Sequence, residues 1–221
     1  MSMKSNEEII LKTQAYVKEK LEGEGSGHDW WHVYRVWKNA KNIAKYEKAD
    51  LFTVELAALL HDIADWKFCD GDDSIGPKIA SEWLNNQNVD KETIKHIVEI
   101  IKDVSFKGAR VKSQINTIEG MIVQDADRID AIGAIGIART FAYGGYKGRE
   151  IYNPNIEPQN HETFEQYKKS EGTTINHFYE KLLLLKNLMN TDTAKKIAEQ
   201  RHKFMEEFLE VFYTEWDGEN L

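Results

Sequence analysis

The stretch ELAALLHDIADWKF, residues 55–68, decides how this chain folds. Phe52, Val54, Leu56, Ala57, Ala58, Leu59 and Leu60 surround a helical projection almost completely, and a helix apolar on every side lies inside a protein. His61 and Asp62 continue directly from that run, and Asp65 follows one turn later. An ionised carboxylate in such surroundings is costly unless it meets a partner or a metal. At helical spacing His61, Asp62 and Asp65 can all reach one cavity. Two accounts stand side by side: a His–Asp pair that staples helices together, or a set of ligands around a cation.

Outward from this stretch, almost every segment repeats at helical period. A first amphipathic helix spans NEEIILKTQAYVKEKLE (6–22), and the glycines of GEGSG (23–27) break it. A second runs from about His28 to Lys45, and Asp50 caps a third, LFTVELAALLHDIADW (51–66). A fourth surrounds KIASEWLNNQ (78–87), and Asp90 caps a fifth, KETIKHIVEIIKDV (91–104). SFKGARVKSQ (105–114) reads as a basic loop. Residues 117–145, TIEGMIVQDADRIDAIGAIGIARTFAYGG, form one long helix or two joined near Arg128. From Gly144 to His161 the period fails and two of the three prolines occur, so a long loop is expected there, with a lid as one role and disorder as another. Helix returns in TINHFYEKLLLLKNLMN (174–190) and TAKKIAEQRHKFMEEFLEVFYTEW (193–216). No run alternates long enough for a strand. The expected fold class is all-α, a single-domain helical bundle.

Composition narrows the setting. The net charge of −8 makes the chain a poor binder of nucleic-acid polymers, whose affinity rests on Lys and Arg neutralising phosphates. A small phosphorylated molecule needs only a local basic pocket. One cysteine, Cys69, excludes an intrachain disulfide and a multi-thiolate zinc site. The N-terminus lacks the apolar core of a signal peptide, and no apolar run reaches membrane-spanning length. A cytoplasmic protein with no membrane association is the expectation; oligomeric state is not legible.

The candidate chemistry gathers in three places. On the second helix Val33, Val36, Trp37, Ala40, Ile43 and Ala44 share an apolar face, and His28, His32, Arg35 and Asn39 run along its edge. The third helix brings His61, Asp62 and Asp65. VQDADRID (123–130) embeds three acids and an arginine between the apolar GMIV and AIGAIGIA. There Asp127 and Asp130 lie one turn apart while Asp125 faces elsewhere; a salt bridge with Arg128 is the plain alternative to a ligand role. Acids inside two apolar surrounds, with histidines to match, favour a shared cation.

The order His32, His61-Asp62, Asp127, in the settings GHDWWHVYRVW, AALLHDIAD and DADRID, resembles the H…HD…D signature of the HD-domain superfamily of metal-dependent phosphohydrolases. The likeness covers about the first two-thirds of the chain. The remaining pattern is similar to small stand-alone bacterial HD proteins, some of them described as nucleotide pyrophosphohydrolases. The resemblance implies one domain with a metal core over about residues 25–145, a loop at 144–161 and C-terminal helices over 162–216. It implies metal ligands His32, His61, Asp62 and Asp127 around one divalent ion. Mn²⁺ or Mg²⁺ is favoured, and Fe²⁺, Co²⁺, Ni²⁺ or Zn²⁺ also suit a mixed N/O set. The expected reaction is hydrolysis of a P–O bond in a small phosphorylated substrate, a (deoxy)nucleotide above all. Asp65 is the candidate for activating water, with a helix-end cap or a pair with Lys67 as its plain alternative. Arg35 either meets a substrate phosphate or pairs with Asp29 or Asp130. His28, Lys67, Arg128 and Arg139 are candidate substrate contacts, with Lys147, Arg149, Lys181 and Arg201 behind them. Dinuclear HD sites add two histidines between the HD pair and the last aspartate. This chain has only His96 there, expected as a boundary residue of the fifth helix. An HD-scaffold oxygenase and a non-catalytic metal-containing binding module are the competing functions.

Overall fold

A computed structural model describes residues 5–22, 29–64, 74–104, 115–159 and 172–219. The expected all-α class holds: the described residues form helices and connections, without strands. They group into two compact units, the boundary falling between Asp127 and Arg128.

In the first unit, α1 (Asn6–Leu21) starts at Ser5, whose hydroxyl accepts the Glu8 N–H at 3.2 Å, and buries Ile9, Thr13 and Val17 at helical spacing. α2 (Trp30–Ala44) starts at Asp29, whose carboxylate accepts the His32 N–H at 2.9 Å. Its buried face is Trp30, His32, Val33, Val36, Trp37, Ala40 and Ile43. α3 (Leu51–Leu60) is capped by Asp50 as expected and buries every residue from Thr53 to Leu60. It packs against α1, α2 and α5 (Lys91–Val104), which makes it the centre of this unit. α4 (Ile75–Asn86) packs on α5 and begins earlier than the sequence indicates. Pro77 fits its first turn, where a backbone N–H has no partner inside the helix. After Gln87 the chain turns through Asn88 at φ 61°, one of the few non-glycine residues that adopt this conformation readily. Asp90 then caps α5, accepting the Thr93 N–H at 2.9 Å.

The third helix is shorter than expected. It stops at Leu60, and His61 and Asp62 form the turn that follows. Ile63 N–H bonds back to Leu60 O at 3.2 Å and tightens the exit. Residues 65 and 66, expected on the same helix, lie outside the described residues, as do 105–114.

α6 (Ile118–Asp130) carries Asp125 and Asp127. Residues 117–145 make two helices rather than one, and the joint is at Ala131–Ile132, three residues beyond Arg128. Gly133 opens α7 (Gly133–Tyr146) at φ +75°, where a Cβ would also lie 2.9 Å from Arg201 Cγ. Both space and backbone therefore call for glycine.

In the second unit α9 (Asp192–Trp216), capped by Thr191, packs against α7 and the 3₁₀ helix Leu182–Leu188. The single helix expected over 174–190 is broken into α8 (Asn176–Glu180) and that 3₁₀ segment, with Lys181 leaving helical conformation between them. The expected loop begins later, since α7 runs to Tyr146. Its described part is tied down: Thr174 and Ile175 N–H groups donate to Glu150 O at 2.9 Å and Ile151 O at 3.0 Å. Tyr152 stacks edge-on against Phe212, Tyr213 and Trp216 of α9. Among the described residues no helix is long and apolar enough to cross a membrane.

Candidate metal centre

Within the first unit three elements bring four sequence-selected side chains together. α2 places His32 in its first turn, 1% exposed. His32 Nε2 lies 3.3 Å from Asp62 Oδ2 and 3.5 Å from Asp127 Oδ1. His61, buried just past the end of α3, has Nδ1 2.9 Å from the Ala58 carbonyl. A carbonyl only accepts, so Nδ1 carries a proton, and in the neutral ring Nε2 presents its lone pair. That Nε2 is 3.4 Å from Asp62 Oδ2 and makes no hydrogen bond among the described residues. The two imidazoles meet at a 66° tilt with centroids 5.4 Å apart. One donor atom each from His32, His61 and Asp127 lie within 4.8 Å of one another.

These distances bear on the choice between the staple and the cation. A hydrogen bond from an imidazole to a carboxylate would sit near 2.7–3.2 Å. The three contacts are longer, at 3.3, 3.5 and 3.4 Å. Neighbouring ligands on an ion with bonds of about 2.1 Å stand roughly 3.0 Å apart in octahedral geometry, close to these separations. Asp62 and Asp127 keep 15% and 27% of their side chains exposed, so the carboxylate side of the cluster is open to water. The donor set fits a divalent cation.

Other candidates fall elsewhere. Asp65, Lys67 and His28 lie outside the described residues. Arg35 sits half-buried on α2, one turn past His32. Asp125 is fully buried. In the second unit Arg139 Nη1 meets Asp130 Oδ2 at 2.8 Å, and that carboxylate is 1% exposed. Arg128 donates to Leu188 O and Arg201 to Ile129 O, so both brace the ends of helical segments. Burial lowers the pKa of Arg201, with the Asp130 charge pulling the other way. Lys147 and Arg149 lie over the Tyr143 ring. His96 behaves as expected, at the edge of α5 with Nε2 3.1 Å from Thr117 Oγ1. The sequence reading passed over Glu55, which is 5% exposed in the middle of α3. A lone acid inside an apolar run is the signal that marks it, the same signal that marked His61-Asp62.

Comparison with known proteins agrees with this geometry. The sequence pattern of the HD domain matches residues 30–132. The YpgQ protein of Bacillus subtilis (strain 168) is 41% identical over 199 residues, covering 89% of this chain and 88% of its own length. The crystal structure of YpgQ in complex with ADP superposes with a TM-score of 0.74 at 36% identity, over 93% of this chain and 97% of that one. An HD-superfamily hydrolase from Bacillus thuringiensis gives 0.77 at 46% identity, covering 96% and 99%. A protein from Lactobacillus plantarum gives 0.82 at 43% identity, covering 96% and 98%. With its H…HD…D residues gathered at one point and relatives of this closeness along nearly its whole length, the chain belongs to the HD-domain superfamily.

Proposed function

We propose that this protein is a metal-dependent phosphohydrolase that cleaves a P–O bond in a small phosphorylated substrate, a (deoxy)nucleotide, as a pyrophosphohydrolase or a phosphatase. The observation that carries the reading is the buried His61 Nε2, held in acceptor form and aimed with His32 Nε2 at the same Asp62 oxygen. YpgQ, with ADP in its crystal structure, supports the nucleotide part.

His32, His61, Asp62 and Asp127 would hold one divalent ion, with Mn²⁺ or Mg²⁺ favoured. A bound ion of this kind polarises a phosphoryl oxygen and lowers the pKa of water beside it. The chain's own contribution is placement. His61 keeps its proton on Nδ1, so the ring neither rotates nor changes tautomer at the centre. The two carboxylates offset the charge of a divalent ion and face the solvent side, where an anionic substrate arrives. In this reading Arg35, one turn past His32, takes a phosphate oxygen, and Asp65, which lies outside the described residues, receives a proton from the attacking water. Water adds to phosphorus as the P–O bond to the leaving group breaks, and the leaving oxygen departs with a proton.

The test is turnover by metal-stripped protein, resupplied with Mn²⁺ or Mg²⁺, against a panel of nucleoside and deoxynucleoside mono-, di- and triphosphates. Metal-dependent release of orthophosphate, pyrophosphate or triphosphate from at least one of them is expected, and the product names the bond cut. Tight metal and nucleotide binding with no product from any of them would overturn the reading in favour of a binding module.

A further inference from the structure

The helix that ends at the metal centre contains a carboxylate that its surroundings do not invite. Glu55 is 5% exposed in the apolar run of α3. Its Oε2 accepts the Trp37 indole N–H at 2.7 Å and lies 3.1 Å from Lys41 Nζ. The Lys41 ammonium stands 4.8 Å from the centroid of the Trp37 ring. One carboxylate, one indole and one ammonium thus close on each other across the contact between α2 and α3.

Stability alone does not account for this arrangement. Burying a carboxylate is unfavourable, and an apolar side chain of similar volume is often as stable or more so. What the set supplies is direction. The buried aliphatic side chains of the two helices, Val33, Val36 and Ala40 on α2 and Leu56, Leu59 and Leu60 on α3, make few directional demands. A hydrogen bond of 2.7 Å to a buried oxygen is directional and does not survive a slip of one helical turn.

The same two helices carry the histidines. His32 precedes Trp37 on α2, whereas His61 follows Glu55 on α3, and both pairs meet; α2 and α3 are therefore antiparallel. At 1.5 Å per residue the clamp lies roughly 7–9 Å along the helices from the histidine pair. Two fixed points on one interface determine its register.

We infer that Glu55 is a positioning residue for the metal centre: with Trp37 and Lys41 it fixes the register of α2 on α3 that brings His32 and His61 to one Asp62 oxygen. This rests on the reading of that cluster as a metal centre.

Three variants test it. Glu55→Leu removes the clamp, Trp37→Phe removes the donor but keeps an aromatic ring, and Glu55→Gln keeps an acceptor for Trp37. Each is titrated with Co²⁺, followed by visible absorption, and unfolded by heat. Side-chain ¹⁵N signals of the histidines are recorded in metal-free protein. Glu55→Leu is expected to stay helical, to lose some Tm because the Trp37 indole N–H is left without its acceptor, and to bind Co²⁺ about 10–100-fold more weakly. Trp37→Phe moves in the same direction, and Glu55→Gln recovers most of the affinity. In metal-free Glu55→Leu the His32 and His61 signals shift while that of His202 stays. Wild-type Co²⁺ affinity in Glu55→Leu and Trp37→Phe, with unmoved His32 and His61 signals, overturns the inference. If Glu55→Leu fails to fold, Trp37→Phe decides. If wild-type protein takes up no Co²⁺, the reading of the centre fails, and the metal-free histidine signals still decide the role of Glu55.

Discussion

At the scale of single residues, the two nitrogens of His61 divide the labour. Nδ1 is spent on a carbonyl of its own helix, and Nε2 is turned into the cluster without a hydrogen-bond partner among the described residues. A buried acceptor left in that state is unfavourable in an apo protein and satisfied by a cation. Replacing His61 by Ala removes a ligand outright, whereas loss of a mere supporting contact costs about 10–100-fold in metal affinity. His61→Ala is therefore expected to weaken Mn²⁺ binding by at least ~100-fold and to lower nucleotide hydrolysis with it. Calorimetric titration measures the first, and far-UV circular dichroism should show the helices intact. Full activity in that variant would remove the cluster from the chemistry.

At the scale of elements, short side chains at helix starts carry stability out of proportion to their size. Thr191 accepts the Ala194 N–H at 3.2 Å and opens the 25-residue α9. Thr191→Ala is expected to lower unfolding free energy by about 1 kcal/mol, read from the urea midpoint. Asp90 caps α5, and donation from the Thr93 side chain and then its backbone N–H lowers its pKa. Because the folded value lies below the unfolded one, this contribution is present above the ordinary aspartate range and is lost as pH falls through the lowered value. Asp90→Asn keeps an acceptor but cannot titrate. The stability gap between wild type and this variant should shrink as urea titrations move from neutral to acidic pH, and a pH-independent gap would contradict the assignment. The same local chemistry explains what the sequence made legible. Asp50 and Asp90 announced α3 and α5, and the apolar spacing of α2 gave most of its buried face. The end of α3 was hidden because no glycine or proline marks it; the chain leaves the helix through the Ile63 N–H to Leu60 O bond. LLLLKNL offers leucine on every side and so no period by which to tell a 3₁₀ helix from an α-helix. His32, His61-Asp62 and Asp127 stood out as charge inside core. Glu55 stood out equally but went unread, since the partners that explain it sit on a different helix.

At the scale of the whole molecule, an ion held by His32 of α2, His61 and Asp62 after α3, and Asp127 of α6 would join three separate elements. An ion that binds only the folded chain adds stability by mass action, about 2.7 kcal/mol at a hundredfold excess over Kd. For a chain of this length that corresponds to a rise in Tm of roughly 5–10 °C. Differential scanning calorimetry with Mn²⁺, then with excess chelator, should show the rise and its reversal, and His61→Ala should show neither. The spread of the donors along the chain has a further consequence. Synthesis proceeds from the N-terminus, and both imidazoles leave the ribosome well before Asp127 is even translated. On this assignment a nascent fragment that stops short of α6 would lack one of the four ligands. The full coordination sphere would then close only once α4, α5 and most of α6 have been made.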